Sequence, residues 1–205
     1  MPLQNRVKPE GEICCSPARG TLMGNRGCLH NEQKQIVSTS KRDAWVTCLL
    51  EFQGRHRPLM APGSYTELFF LDEATALAAG HRPCATCRRD RYDSFMLAWA
   101  KGNRASTKVL AGEVDKQMKQ DRATSARKSV STLEGLPDGV MVKTSDGACY
   151  LLKDGKLFPW SFDGYGKPLP AGSVAGAFVV LTPESTVNAI RAGYVLETHS
   201  SSHVG

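Results

Sequence analysis

The sequence predicts an α+β protein in two parts, and three observations carry that reading. Residues 44–100 run through strand, short helix, cysteine turn and longer helix. Residues 134–198 place three Asp-Gly turns between short apolar runs, the pattern of a β-meander. Between them, residues 101–130 are polar and hold eight Lys or Arg against three Asp or Glu, so they carry most of the chain's net charge of +6. The implied organisation is a flexible arm (1–18), a first module (19–100), a basic helical linker (101–133), a small β-rich module (134–198) and a flexible tail (199–205).

The elements follow in order. Residues 1–20 are polar and rich in proline and glycine, which suggests loose order. Residues 19–30 contain Gly24-Asn25, a turn signal, and read as a solvated turn between short strands; Arg19 and Arg26 are candidate phosphate contacts there. Residues 44–52, rich in aromatic and β-branched side chains, form the first clear strand, and residues 65–71 read as its partner. Asp72 is placed to cap the helix that follows, Ala74 to Ala79 favour helix, and Gly80 is the expected stop. After Cys87 a second helix is expected, because Tyr92, Phe95, Met96 and Trp99 share one face. Gly102-Asn103 ends it.

In the second half, residues 140–142, 148–152 and 156–158 are the meander strands, and residues 159–166 form an aromatic loop. Residues 177–181 are a further strand. Thr182-Pro183 opens a helix to Ala192, with Thr182 as cap and Pro183 in the first helical position. Residues 194–196 suggest a last strand.

Composition bounds the function. With 205 residues and 41% hydrophobic content, the chain has enough apolar material for a real core. No stretch reaches the length of a membrane helix, and the first residues lack a signal-peptide core, so the chain reads as soluble and cytoplasmic. The sequence pI of about 9.0 favours an anionic partner. Seven cysteines, an odd count, argue against a disulfide framework in such a setting. Phosphate-binding Gly-Lys-Ser loops, serine-hydrolase elbows and His-Glu-x-x-His motifs are absent.

The chemistry concentrates at His81-Arg82-Pro83-Cys84-Ala85-Thr86-Cys87-Arg88-Arg89-Asp90-Arg91. Cys-x-x-Cys lets two sulfurs of one tight turn reach one ion, and zinc takes four nitrogen or sulfur ligands in a tetrahedron. The surrounding arginines would offset thiolate charge. A redox dithiol is the competing reading, although Pro83 and Arg88-Arg89 do not clearly start a helix inside the motif.

Residues 68–74, Leu-Phe-Phe-Leu-Asp-Glu-Ala, followed by residues 78–88, Ala-Ala-Gly-His-Arg-Pro-Cys-Ala-Thr-Cys-Arg, resemble the N-terminal zinc domain of the Ada-type DNA-alkylation repair proteins. The resemblance spans residues 45–92. It implies a short antiparallel sheet with helices, four cysteines around one zinc, and Cys84 and Cys87 as two of them. Cys48 takes the place of the first ligand, and in that family one of the first two cysteines also accepts a methyl group from a DNA phosphotriester. Phe52 stands where a further cysteine belongs, so a fourth ligand would come from elsewhere: His30 first, then Cys28 or His56.

The leading expectation is therefore a zinc-stabilised protein that contacts nucleic acid. Cys48, Cys84, Cys87 and His30 would hold the metal. Arg82, Arg88, Arg89 and Arg91, with Lys116 and Lys119, would touch phosphates without reading bases. Two alternatives accompany it. One is a protein-interaction module with a structural or vestigial metal site, using the aromatic loop at Trp160–Tyr165. The other is a repair protein in which a zinc-bound Cys48 accepts an alkyl group.

Overall fold

The computed structural model describes residues 1–54, 58–105, 109–123 and 127–203. Its first half builds a six-stranded sheet from β1 (Gln4–Val7), β2 (Ile13–Cys15), β3 (Leu22–Asn25), β4 (Val46–Cys48), β5 (Leu68–Phe70) and β6 (Arg82–Pro83), in the order β2-β1-β5-β3-β4-β6. The expected flexible arm is thus part of the sheet: β1 pairs with β2 antiparallel and with β5 parallel. Val7 and Ile13 are buried, which supplies the reason. The expected pairing of residues 44–52 with 65–71 is also replaced. The stretch read as a solvated turn contributes β3, which lies between β4 and β5 and pairs with both. Gly24 makes this possible, because a Cβ there would lie 2.3 Å from Phe70 Cε2.

Helix α1 (Glu73–Ala78) follows β5 and is buried at every residue. Asp72 caps it, accepting a hydrogen bond from the Thr75 N–H, and Gly80 ends it with φ of +83°, both as expected. Helix α2 (Arg89–Gly102) buries Phe95, Met96 and Trp99, as its periodicity predicts. The polar segment then forms α3 (Ala111–Asp121). This is a docked helix rather than a linker, because Val114 and Met118 pack into the same cluster as Leu77, Phe95 and Trp99.

The second half forms a seven-stranded sheet from β7 (Ser129–Val130), β8 (Met141–Thr144), β9 (Cys149–Lys153), β10 (Lys156–Ser161), β11 (Gly164–Tyr165), β12 (Leu169–Pro170) and β13 (Phe178–Val180). Strands β8, β9 and β10 are the expected antiparallel meander. Helix α4 (Glu184–Arg191) starts later than expected, because the Thr182 hydroxyl is occupied in accepting the Met141 N–H at 2.9 Å. Residues 194–196 are not a strand. The Tyr194 hydroxyl reaches Glu73 Oε1 at 2.8 Å instead. The expected flexible tail packs as well: the His199 N–H donates to Asp72 Oδ2 at 2.9 Å, and Ser200–Ser202 form a 3₁₀ turn.

The two sheets share one helix. Ala76 and Ala79, in the α1 segment, pack with Val7, Leu68 and Phe70 of the first sheet. Ala74 and Ala78 pack with Met141, Leu151, Phe158 and Tyr165 of the second. Leu77 turns to α2, α3 and α4. Alanine suits a helix enclosed on several sides, since a small side chain lets each layer come close. No helix among the described residues is long and apolar enough to cross a membrane.

Candidate metal centre and adjoining cleft

The side-chain alternation in the first sheet divides its surface. Asn5, Val7, Leu22, Thr47, Leu68 and Phe70 are buried, and most of their apolar members face the core under α1. Arg6, Met23, Asn25, Val46, Cys48 and Phe69 project from the other face and line a cleft of about 730 Å³. The register aligns four of them in a row, because Arg6 pairs with Phe69, Phe69 with Met23, and Met23 with Cys48. Three strand spacings of ~4.8 Å separate the arginine from the cysteine, about 14 Å in all.

The second half of the thiol set comes from the β6 turn. Strand β6 runs parallel to β4, with Thr47 opposite Pro83, and the Cys84 N–H donates to the Thr47 carbonyl at 2.9 Å. That bond fixes Cys84 beside Cys48. The tight turn returns Cys87 to the same place. The Sγ atoms of Cys48, Cys84 and Cys87 all lie within 4.8 Å of one another, and all three residues are half-buried and line the cleft. Two sulfurs on one tetrahedral zinc, with bonds of about 2.3 Å, sit about 3.8 Å apart. The donor set therefore fits one mononuclear soft metal ion after a contraction of less than about 1 Å.

The electrostatics of the turn favour thiolate character at Cys84. Its thiol is pulled down to about 4, first by the hydrogen bond from Cys48 and then, against burial, by the backbone N–H groups of Cys87 and Thr86. The Thr86 N–H lies 3.4 Å from Cys84 Sγ. Cys48 is pushed far up because it donates to that thiolate, is buried, and faces its charge. Burial raises Cys87.

His30 does not join this set. Its Nδ1 meets Thr66 Oγ1 at 2.6 Å and its Nε2 meets the Ala61 carbonyl at 3.3 Å, so the ring is a buried bridge between loops. Cys28 is also elsewhere, with its Sγ 3.6 Å from the His30 carbonyl. His56 lies outside the described residues. Among the described residues the site offers three ligands.

The arginines around the knuckle have other work. Arg82 forms a two-pronged ion pair with Asp115 of α3, both contacts at 2.7 Å, with both side chains largely buried. Arg88 is buried and reaches Glu73 at 2.9 Å, Thr47 Oγ1 at 2.9 Å and Glu197 at 3.0 Å. Arg91 pairs with Glu73 and donates to the Val195 carbonyl. These three brace the thiol turn against β4, α1 and α3, and none presents a free guanidinium to phosphate. Arg89 and Lys116 are exposed, Arg89 lying 3.8 Å from Asp93; Lys119 is exposed and paired with Asp43 at 2.7 Å. Arg26 is 1% exposed and stacks on Trp45, so it is no phosphate contact either.

The stretch read as an aromatic loop is instead the β10–β11 hairpin, in which Trp160 pairs with Tyr165, and it is likewise committed internally. Tyr165 is buried and donates to Asp72, while Trp160 Nε1 donates to Thr75 Oγ1 at 3.1 Å. Sequence reasoning missed the cleft itself, with Arg6, Arg42 and three leucines on its wall. The only signal was period-two alternation, spread over strands of three and four residues. No protein-family model matches the chain, and neither a curated protein nor a solved structure shows significant similarity to it.

Proposed function

We propose that the chain is a zinc-binding protein whose ion is held by Cys48, Cys84 and Cys87 and keeps a coordination position open toward the cleft. The observation that carries this reading is the convergence of three thiols, from β4 and the β6 turn, on the wall of a large cleft. Structural zinc sites are closed by four protein ligands, whereas sites with three leave room for an exogenous donor. Zinc would supply Lewis-acid character there. The residues of this chain supply the rest. Cys48, Cys84 and Cys87 bind, while Arg82 and Arg88 hold the turn in place.

Elemental analysis of the purified chain tests the reading. One zinc per chain is expected in the parent, with loss of that zinc in both Cys48→Ser and Cys84→Ser. Retention of full zinc by Cys48→Ser, in a variant that melts like the parent, would remove Cys48 from the site and the reading with it.

A second reading, alkyl acceptance by Cys48, draws support from the position of Cys48 on the cleft wall. Its test is separate. Intact-mass analysis after incubation with methylated DNA should show one added methyl that maps to Cys48, and an unchanged mass would end this reading.

A further inference from the structure

The cleft is more than an opening onto the thiols. Three of its lining residues, Leu49, Leu50 and Leu59, are 40%, 48% and 40% exposed, so it concentrates apolar surface that the fold leaves in water. Phe69 and Met23 continue that surface across the sheet between Cys48 and Arg6. The opposite end is cationic. Arg6 stacks on the Phe69 ring at 4.7 Å and is fixed by the Ala18 carbonyl and Asn5 Oδ1. Arg19 follows Ala18 directly. Its neighbour Gly20 is pinned so tightly that a Cβ would lie 2.2 Å from the Phe70 carbonyl oxygen. Arg42 lies apart from this pair, ahead of β4 at the Asn25–Val46 end of the cleft, and its own carbonyl is held by Trp45 Nε1 and Ser40 Oγ. Arg19 and Arg42 are exposed, and among the described residues no ion pair occupies either guanidinium. Two carboxylates share the lining. Glu67 is buried and accepts the Met60 N–H at 2.8 Å, and Glu51 lies three residues beyond Cys48.

We infer that this cleft binds a small anionic amphiphile. Its phosphate or carboxylate group lies at Arg6 and Arg19, its apolar body lies along Phe69, Met23 and the leucines, and its far end reaches the thiol centre. The volume of about 730 Å³ suits a ligand of drug or cofactor size. Arginine matches the planar, multi-acceptor geometry of phosphate and carboxylate. The far-end placement rests on the metal reading above; the anionic rim and the apolar wall do not.

The test is isothermal titration of the zinc-loaded full chain with hexyl phosphate, hexanol, inorganic phosphate and a short single-stranded oligonucleotide. Hexyl phosphate is expected to bind at least tenfold more tightly than either hexanol or inorganic phosphate. Arg19→Ala, at an exposed residue, should keep the parent's melting temperature and zinc content and lose that preference over hexanol. Leu50→Ser should weaken hexyl phosphate and leave inorganic phosphate unchanged.

Equal affinity for hexyl phosphate and hexanol, or an unaffected Arg19→Ala variant, would overturn the inference. So would an oligonucleotide that outbinds hexyl phosphate tenfold, which would assign the rim to nucleic acid. Zinc content measured on the same sample separates the two claims. Loaded zinc without probe binding ends only this inference, and probe binding without zinc ends only the open-metal reading.

Discussion

A second proton on His81 has no place to go. The ring is fully buried between Trp45 and Phe70, at centroid distances of 5.1 and 4.7 Å, and its Nε2 accepts the Arg26 Nε–H at 3.1 Å. Burial, then the charges of Arg26 and Arg122, hold its pKa well below the ordinary value. The folded state therefore requires the neutral ring. Below about pH 6.5 the unfolded chain takes up a proton that the folded chain refuses, so stability falls as pH falls through that region, by up to ~1.4 kcal/mol per pH unit. Above it, this contribution is constant. Urea titrations of the parent and of His81→Phe from pH 7.5 down to 5 should show a shallower acid slope in the variant; identical slopes would contradict this account of His81. At the same scale, Glu73→Ala removes the buried carboxylate shared by Arg88, Arg91 and Tyr194, leaves Arg88 only the exposed Glu197 as counter-charge, and should cost about 3–5 kcal/mol in urea unfolding, while Arg89→Ala at an exposed pair should cost less than about 1 kcal/mol. The sequence made the arginine-rich setting of the thiols legible and hid its purpose. The partners of Arg88 and Arg82 stand 15 and 33 residues away, and nothing in the local pattern announces them.

Helix α1 is the element on which the layers meet. Its alanines are sized for that position, so Ala76→Leu, which faces the first sheet, and Ala74→Leu, which faces the second, should each lower stability by about 1–3 kcal/mol through overpacking. Thermal melts would show it, and unchanged midpoints would mean that the helix has room to move. Gly24→Ala tests the β3 register in the same way, because its Cβ would press on the Phe70 ring. The cap at Asp72, the stop at Gly80, the apolar face of α2 and the meander were readable, since each rests on short-range chemistry. Strands β1, β2 and β3 were not. Each has only three or four residues, and each is a strand because it finds partners distant in sequence. The docking of α3 was hidden for the same reason, because its apolar contact rests on Val114 and Met118 among many polar residues and its buried Asp115 pairs with Arg82, 33 residues away.

For the whole molecule, the cluster joins β4 to the turn before α2, so a metal held there would couple to the fold. Of the three thiols, only Cys84 is held low; Cys48 and Cys87 are pushed up. Since zinc binds thiolates, loading at pH 7 should release about two protons per ion, and affinity should fall as pH falls. Calorimetry in buffers of different ionisation enthalpy measures that number; a value near zero would mean that the thiols are already ionised. Adding a chelator should lower the melting temperature of the parent and leave that of Cys84→Ser unchanged. The Cys84/Cys87 pair and Cys48 were legible from spacing and resemblance. That the described residues offer three ligands was legible only as the absence of a cysteine at Phe52, and the cleft beside them exists only once the short strands are laid side by side. X-ray absorption at the zinc edge tests the central claim most directly. The account predicts three sulfur scatterers at about 2.3 Å and one light-atom ligand without the outer-shell pattern of imidazole. Four sulfurs, or a clear imidazole signature, would show a closed structural site and contradict it.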